Sequence, residues 1–174
     1  RDTTMTKLRL PTAFELLMVW HGLFVGAYTI AYLTAEGAPG LHEFSGYSAL
    51  GLLAVRLLAA LLAGERAPWA LPLPKAAMWK NFGRKLAAGN FSAVRGRTPF
   101  APLSGLIILG TLVLVTLSGL AADWWDWEDL HGGLAEGSLT LVLIHIAIVS
   151  FAPLVKKLGE SRTEPAAPVL MRQN

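Results

Sequence analysis

Cysteine is absent from this sequence of 174 residues. Without thiols the chain can form no disulfide, ligate no iron–sulfur cluster through its own cysteines and attach no c-type haem covalently. Charged residues are also scarce, at 16% of the chain, whereas 53% of the residues are hydrophobic. Because a mean hydropathy of +0.48 is too high for a soluble domain of this length, the composition indicates an integral membrane protein.

Long apolar runs predict four membrane-spanning helices, since a span needs about 20 residues. The predicted spans are residues 13–33, 42–63, 103–122 and 131–151. The remaining segments are too short for a second domain, so we predict one all-α domain over residues 1–174, a four-helix transmembrane bundle. Pro153 is expected to end the fourth span, and the polar tail 154–174 is expected to be mobile.

Basic residues outside the predicted spans lie on one side of the membrane. They occur in the N-terminal segment, in the long connection between the second and third spans and in the tail, but not in the two short connections. The positive-inside rule therefore places both termini and the long connection in the cytoplasm. Because the charges sort by membrane side, they favour no nucleic-acid partner. Residues 75–91 of the long connection are expected to lie on the lipid surface as a basic amphipathic helix.

The fourth span carries two of the four histidines, His131 and His145. Their separation of fourteen residues falls about 40° short of four helical turns, so both lie on one side of the helix, roughly 21 Å apart along its axis. The other two histidines match them in depth. His42 and His131 lie at the outer ends of their spans, whereas His21 and His145 both lie roughly 12 Å from the inner ends.

Two level imidazoles on different helices can ligate a haem iron from both faces, which favours electron transfer over oxygen chemistry. We therefore expect two haems stacked across the membrane, an outer one between His42 and His131 and an inner one between His21 and His145. Each histidine could instead be a packing residue that hydrogen-bonds a neighbouring helix. One shared four-histidine metal site is disfavoured, because Zn–N bonds are only about 2 Å long.

Arg56 lies fourteen residues after His42 and therefore at the depth of the inner pair. A buried arginine needs a partner, and no acidic residue in the spans shares its depth. A haem propionate is the expected partner, and the alternative is a side chain that snorkels to the inner headgroups.

Two further features each have two interpretations. Glycines near the histidines would give a haem room or allow close helix packing. Their positions are Gly22, Gly26, Gly46, Gly51, Gly132, Gly133 and Gly137. The tryptophans at 124, 125 and 127 would form either an interfacial belt or a docking surface for an electron-transfer partner.

Three segments carry a resemblance to a known family. They read VWHGL in the first span, LHEFSGYSALGLLAVRLL in the second and LHGGLAEGSLTLVLIHI in the fourth. The sequence thereby resembles the bacterial cytochrome b561 group, which includes the b-type cytochrome subunits of membrane-bound hydrogenases, over residues 12–155. The resemblance implies that His21, His42, His131 and His145 ligate two haem b groups, in a protein of the bacterial inner membrane.

The resemblance also implies electron transfer between the quinone pool and a redox partner, with a quinone as a further bound group. The acidic stretch 123–129 favours a positively charged periplasmic partner such as a c-type cytochrome. Whether the chain itself turns over quinol as an enzyme stays open. One alternative is a membrane-anchor cytochrome subunit of a hydrogenase or another dehydrogenase. Alternatives from other classes are a histidine-based metal or proton transporter and a structural subunit of a larger membrane complex.

Overall fold

The computed structural model describes residues 11–65, 67–89 and 98–160. Within these residues the chain forms five α-helices and no strand, which confirms the all-α prediction. The helices are α1 (Ala13–Thr34), α2 (Pro39–Leu62), α3 (Ala76–Ala87), α4 (Phe100–Trp125) and α5 (Glu128–Glu160). Several basic residues that underlie the predicted orientation lie outside the described residues: Arg1, Lys7, Arg9, Arg66, Arg95, Arg97, Arg162 and Arg172.

Four of the helices are long and apolar enough to cross a membrane, and the four predicted spans are confirmed in this sense. The candidate spans are Ala13–Thr34, Pro39–Leu62, Phe100–Ala122 and Glu128–Phe151. Their surfaces carry many exposed large apolar side chains, such as Leu61, which is 80% exposed. Such a surface would be costly in water and suits contact with lipid, so the chain is a multi-pass membrane protein.

Local sequence explains where α1 and α2 begin. Thr12 and Glu15 form a capping box, in which Thr12 Oγ1 accepts from the Glu15 N–H at 3.2 Å and Glu15 Oε2 accepts from the Thr12 N–H at 2.6 Å. Pro39 occupies the first position of α2, where its fixed φ fits a helix and its missing N–H has no helical acceptor. The connection between α1 and α2 is only residues 35–38, which makes the two helices antiparallel neighbours.

The ends of α4 and α5 differ from the predictions. The fourth candidate span ends at Phe151, before Pro153, as predicted, but the helix itself continues to Glu160. Residues 154–160, which were expected to begin a mobile tail, are therefore helical. The tail beyond residue 160 lies outside the described residues. The acidic connection is also shorter than expected, since only Asp126 and Trp127 separate α4 from α5. Asp126 has a φ of 56°, a left-handed conformation that Asp adopts more readily than most residues.

The chain forms two compact units. The first comprises residues 11–72 with Leu106–Leu139, and the second comprises Leu73–Gly105 with residues 140–160. The helices α4 and α5 contribute to both units. The prediction of one domain over residues 1–174 stays a prediction.

The core of the first unit consists of apolar side chains from three helices. Phe24 of α1, Ala49 and Leu53 of α2 and Leu112 of α4 are buried against one another. The fourth long helix joins through its first part, because Ser138 of α5 hydrogen-bonds the hydroxyl of Tyr28 in α1 at 2.9 Å. All four long helices therefore contribute to this unit.

In the second unit α3 packs against the start of α4. The rings of Trp79 and Phe82 meet Phe100 edge-on, with centroids 5.6 and 5.4 Å apart. The basic side chains of α3 are exposed: they are Lys80, Arg84 and Lys85. The helix predicted within residues 75–91 is thus present and amphipathic, while its position on a lipid surface stays a prediction.

Replacement of Leu53 by Ala tests the core of the first unit. Leu53 is 1% exposed, so the Leu53→Ala change should lower the free energy of unfolding by about 2–5 kcal/mol. Thermal unfolding of the detergent-solubilised protein measures this loss. Leu61→Ala on the same helix is the control, because Leu61 is 80% exposed and should change the stability by less than about 0.5 kcal/mol. Equal effects of the two substitutions would contradict the described core.

Candidate functional site

The side chains of His42 and His131 lie next to each other in the first unit. Their ring centroids are 6.0 Å apart and their planes make an angle of 73°. His42 lies in the first turn of α2 and His131 in the first turn of α5. The structure therefore brings together two of the histidines that the sequence analysis places at one level.

The orientation of the His42 ring is set by a carbonyl group of α1. Nδ1 of His42 lies 2.8 Å from the backbone oxygen of Ala31. A carbonyl oxygen can only accept a hydrogen bond, so Nδ1 of His42 must carry the proton and donate it. In the neutral ring Nε2 then keeps its lone pair, which is the form that binds a metal ion.

The His131 ring is held in the same way by α4. Its Nδ1 lies 3.1 Å from the backbone oxygen of Val115 and 3.1 Å from Oγ of Ser118. Ser118 donates its own hydroxyl proton to the Val115 oxygen at 2.9 Å, so both neighbours act as acceptors toward the ring. His131 thus also has a protonated Nδ1 and a lone pair on Nε2.

Gly119 allows the His131 ring to pack against the backbone of α4. A Cβ added at Gly119 would lie 2.9 Å from Cε1 and 3.3 Å from Nδ1 of His131. Distances this short are not tolerated, so a larger residue would displace the ring. The sequence analysis missed Ser118 and Gly119, because it placed candidate site residues in the other three spans only. The available signal was a small polar residue followed by glycine in an otherwise aliphatic run.

The other two histidines belong to different compact units. His145 lies in the second unit, where its Nδ1 is 2.9 Å from Oγ of Ser104. His21 lies in the first unit, is exposed and has its ring centroid 6.2 Å from that of Trp20. The predicted pairing of His21 with His145 therefore stays a prediction.

Arg56 is buried among carbonyl groups and aromatic rings. Its side chain is 6% exposed, and it donates from Nη1 to the Trp69 oxygen at 2.7 Å and from Nη2 to the Ala70 oxygen at 3.1 Å. The guanidinium carbon lies 5.9 Å from the ring centroids of both Trp20 and Trp69, which adds cation–π attraction. Carbonyl dipoles and ring faces are thus partners that the sequence analysis overlooked. The predicted propionate contact stays a prediction.

The two tryptophans beside Arg56 bind the helices to the connection that follows α2. Nε1 of Trp69 donates to the Ala13 oxygen at 2.9 Å, and Nε1 of Trp20 donates to the Leu52 oxygen at 2.8 Å. Their rings contact each other, with centroids 6.3 Å apart. Arg56 and these tryptophans therefore hold the connection against the ends of α1 and α2.

The seven glycines noted near the histidines do not serve helix packing within the described chain. Apart from its chain neighbours and the backbone of its own helix, a Cβ added at any of them would meet no atom of the described residues within 4 Å. The surface beside them can therefore contact a bound group, lipid or another subunit.

The three tryptophans at the end of α4 form an exposed aromatic group. Trp124, Trp125 and Trp127 contact one another in series, with centroids 6.1 and 5.7 Å apart. Trp124 is 76% exposed. Both interpretations of this group, the interfacial belt and the docking surface, stay open.

No three His, Asp or Glu side chains come together as a metal site in the part of the chain that the structure describes. A haem iron, in contrast, needs only two axial side chains. The His42/His131 pair therefore matches the ligand number of a haem better than that of a structural or catalytic zinc site.

Comparison of this chain with family models, curated proteins and solved structures gives no match. The resemblance to the cytochrome b561 group therefore depends on the three sequence segments quoted above. Function has to be argued from the geometry of the site.

Replacement of Arg56 by Ala tests its contact with the connection. Arg56→Ala removes two hydrogen bonds from a charged donor, each worth about 1.5–3 kcal/mol. Amide hydrogen exchange over residues 67–72 should therefore accelerate at least about tenfold. Arg84→Ala is the control, since Arg84 is exposed and its one recorded hydrogen bond among the described residues is to Oδ1 of Asn81, at 3.2 Å. Unchanged exchange in the Arg56 variant would contradict the role.

Proposed function

We propose that this chain is a transmembrane b-type cytochrome that transfers electrons and holds one haem between His42 and His131. The supporting observation is that both rings direct Nδ1 at backbone carbonyls while their centroids lie 6.0 Å apart. Metal–imidazole bonds of about 2 Å place the centroids of two axial rings about 6 Å apart. The observed separation thus fits a single iron between the rings.

The surroundings of the two rings also fit haem ligation. Metal-binding histidines generally donate their second N–H to a carbonyl or carboxylate, which fixes the ring and makes the ligating nitrogen more basic. The Ala31 and Val115 carbonyls accept these bonds here. A bound haem supplies one-electron exchange between ferric and ferrous iron. By filling both axial positions, the two histidines would keep oxygen from binding.

The proposal includes a second haem between His21 and His145. Its support is the equal sequence depth of these residues and the resemblance described above. His145 adds one local observation, because the Ser104 hydroxyl next to its Nδ1 already donates to Ala101 and so accepts from the ring. Two haems at different depths would carry electrons across the membrane.

The proposed orientation and partners follow from charge. The basic connection and termini would face the cytoplasm by the positive-inside rule. Exposed acidic residues lie in or beside the two short connections, close in sequence to His42 and His131: Glu36, Glu43, Asp126, Glu128 and Asp129. They would attract a cationic periplasmic partner such as a c-type cytochrome. The quinone pool of a bacterial inner membrane would exchange electrons at the other end of the path.

A membrane-anchor subunit of a hydrogenase or another dehydrogenase would use the same haem site. The two versions differ in the partner, since an anchor subunit would purify together with a protein that carries iron–sulfur clusters.

Purification of the native protein tests the proposal. The preparation should be red, with a b-type reduced-minus-oxidised spectrum and two haems per chain by the pyridine haemochrome assay. A native preparation that contains no haem would overturn the proposal and favour the transporter or structural alternatives.

Gly119→Ala should disturb the haem held by His42 and His131. The added Cβ would displace the His131 ring, and a misplaced ligand typically lowers metal affinity by about 10–100-fold. One of two low-spin haem signals in the electron paramagnetic resonance spectrum should therefore weaken or disappear. Gly110→Ala on the same helix is the control, because its Cβ would meet no atom of the described residues within 4 Å. Identical spectra of the two variants would contradict the role of Gly119.

A further inference from the structure

Two serines of α4 repeat the spacing of the two histidines of α5. Ser104 and Ser118 are fourteen residues apart, as are His131 and His145. In the first unit Ser118 Oγ lies 3.1 Å from Nδ1 of His131, and in the second unit Ser104 Oγ lies 2.9 Å from Nδ1 of His145. Fourteen residues are close to a whole number of helical turns, so each pair shares one side of its helix.

Each serine donates its only hydroxyl proton to a backbone carbonyl of its own helix. Ser104 donates to the Ala101 oxygen at 2.9 Å, and Ser118 donates to the Val115 oxygen at 2.9 Å. The hydroxyl oxygen can then only accept from the histidine beside it. A hydroxyl that is free to donate or accept would stabilise either tautomer of the ring. A hydroxyl whose proton is already donated elsewhere can only accept, so it selects the tautomer with a protonated Nδ1. That tautomer leaves Nε2 as the ligating nitrogen.

We propose that Ser104 and Ser118 are positioning residues that set the tautomer and ring rotation of His145 and His131, so that α4 orients both histidines of α5. The proposal depends on the proposed function, because it assumes that these histidines ligate haem. A hydrogen bond from Nδ1 makes Nε2 a stronger donor, which stabilises ferric over ferrous iron. Each serine therefore lowers the reduction potential of one haem.

The carbonyl oxygen of Val115 limits the effect of Ser118. His131 donates to the Val115 oxygen as well as to Ser118, so the carbonyl still selects the tautomer when the hydroxyl is removed.

Redox titration of the haem-loaded protein, resolved into its two haems, tests the proposal. Ser104→Ala should weaken the affinity of one haem site for ferric iron about tenfold, which raises the midpoint potential by about 59 mV for a one-electron couple. The other haem should keep its potential. Ser118→Ala should raise the potential of that other haem. Ser104→Thr keeps the hydroxyl and should restore the original value.

Thr111→Val and Thr116→Val are the matched controls. Both threonines lie on α4 and donate to carbonyls of their own helix, as the serines do, but the bonds recorded for them involve no histidine. Neither control should move a potential. A shift as large as that of Ser104→Ala would contradict the specific role of the serines.

The outcomes separate this proposal from the proposed function. A wild-type protein without haem would overturn the function and the proposal with it. Two intact haems whose potentials do not respond to either serine substitution would overturn the positioning role alone.

A second measurement serves if a variant fails to fold. Nitrogen NMR of the reduced, diamagnetic wild type, labelled at its four histidines, should find a protonated Nδ1 on His131 and His145. Ligation through Nδ1 in either residue would overturn the proposal.

Discussion

A hydrogen bond from Nδ1 of a histidine to a backbone carbonyl of the neighbouring helix is the interaction on which this site depends. An imidazole in apolar surroundings needs a partner for its N–H, because an unpaired buried donor costs about 1–3 kcal/mol. The Ala31 carbonyl meets this need for His42, and the Val115 carbonyl meets it for His131. The helices α1 and α4, which carry neither of these two histidines, thus determine which ring nitrogen is available to ligate a metal.

Arg56, like the histidines, needs hydrogen-bond acceptors inside the protein, but its acceptors belong to a loop. A charged group deep in a span needs acceptors, and the connection after α2 provides two carbonyl oxygens. Arg56 joins this connection to α2, and the indole of Trp69 joins it to the first residue of α1, so two side chains tie the loop to two membrane helices. Polar residues in the spans therefore fix the position of the surrounding backbone, in addition to any role in holding a bound group.

Much of the architecture could be predicted from the sequence, since apolar runs of about 20 residues with few charged residues directly indicate membrane spans. The common level of His42 and His131 followed from the span ends together with the charge-based orientation. The acceptors could not be predicted, because every residue carries a carbonyl and no pattern indicates which one lies beside a ring. The spacing of Ser104 and Ser118 was visible in the sequence, but it gains meaning only once the contacts with α5 are known. The end of the fourth span before Pro153 was predicted correctly, whereas the continuation of the helix to Glu160 was not.

The central claim is that His42 and His131 serve one and the same haem. The most direct test counts six-coordinate low-spin haems per chain in His42→Ala, in His131→Ala and in the double variant. If both histidines ligate one iron, each single variant loses one such haem and the double variant loses no more. Loss of both haems in the double variant, with one lost in each single variant, would mean that the two histidines serve different haems and would contradict the account.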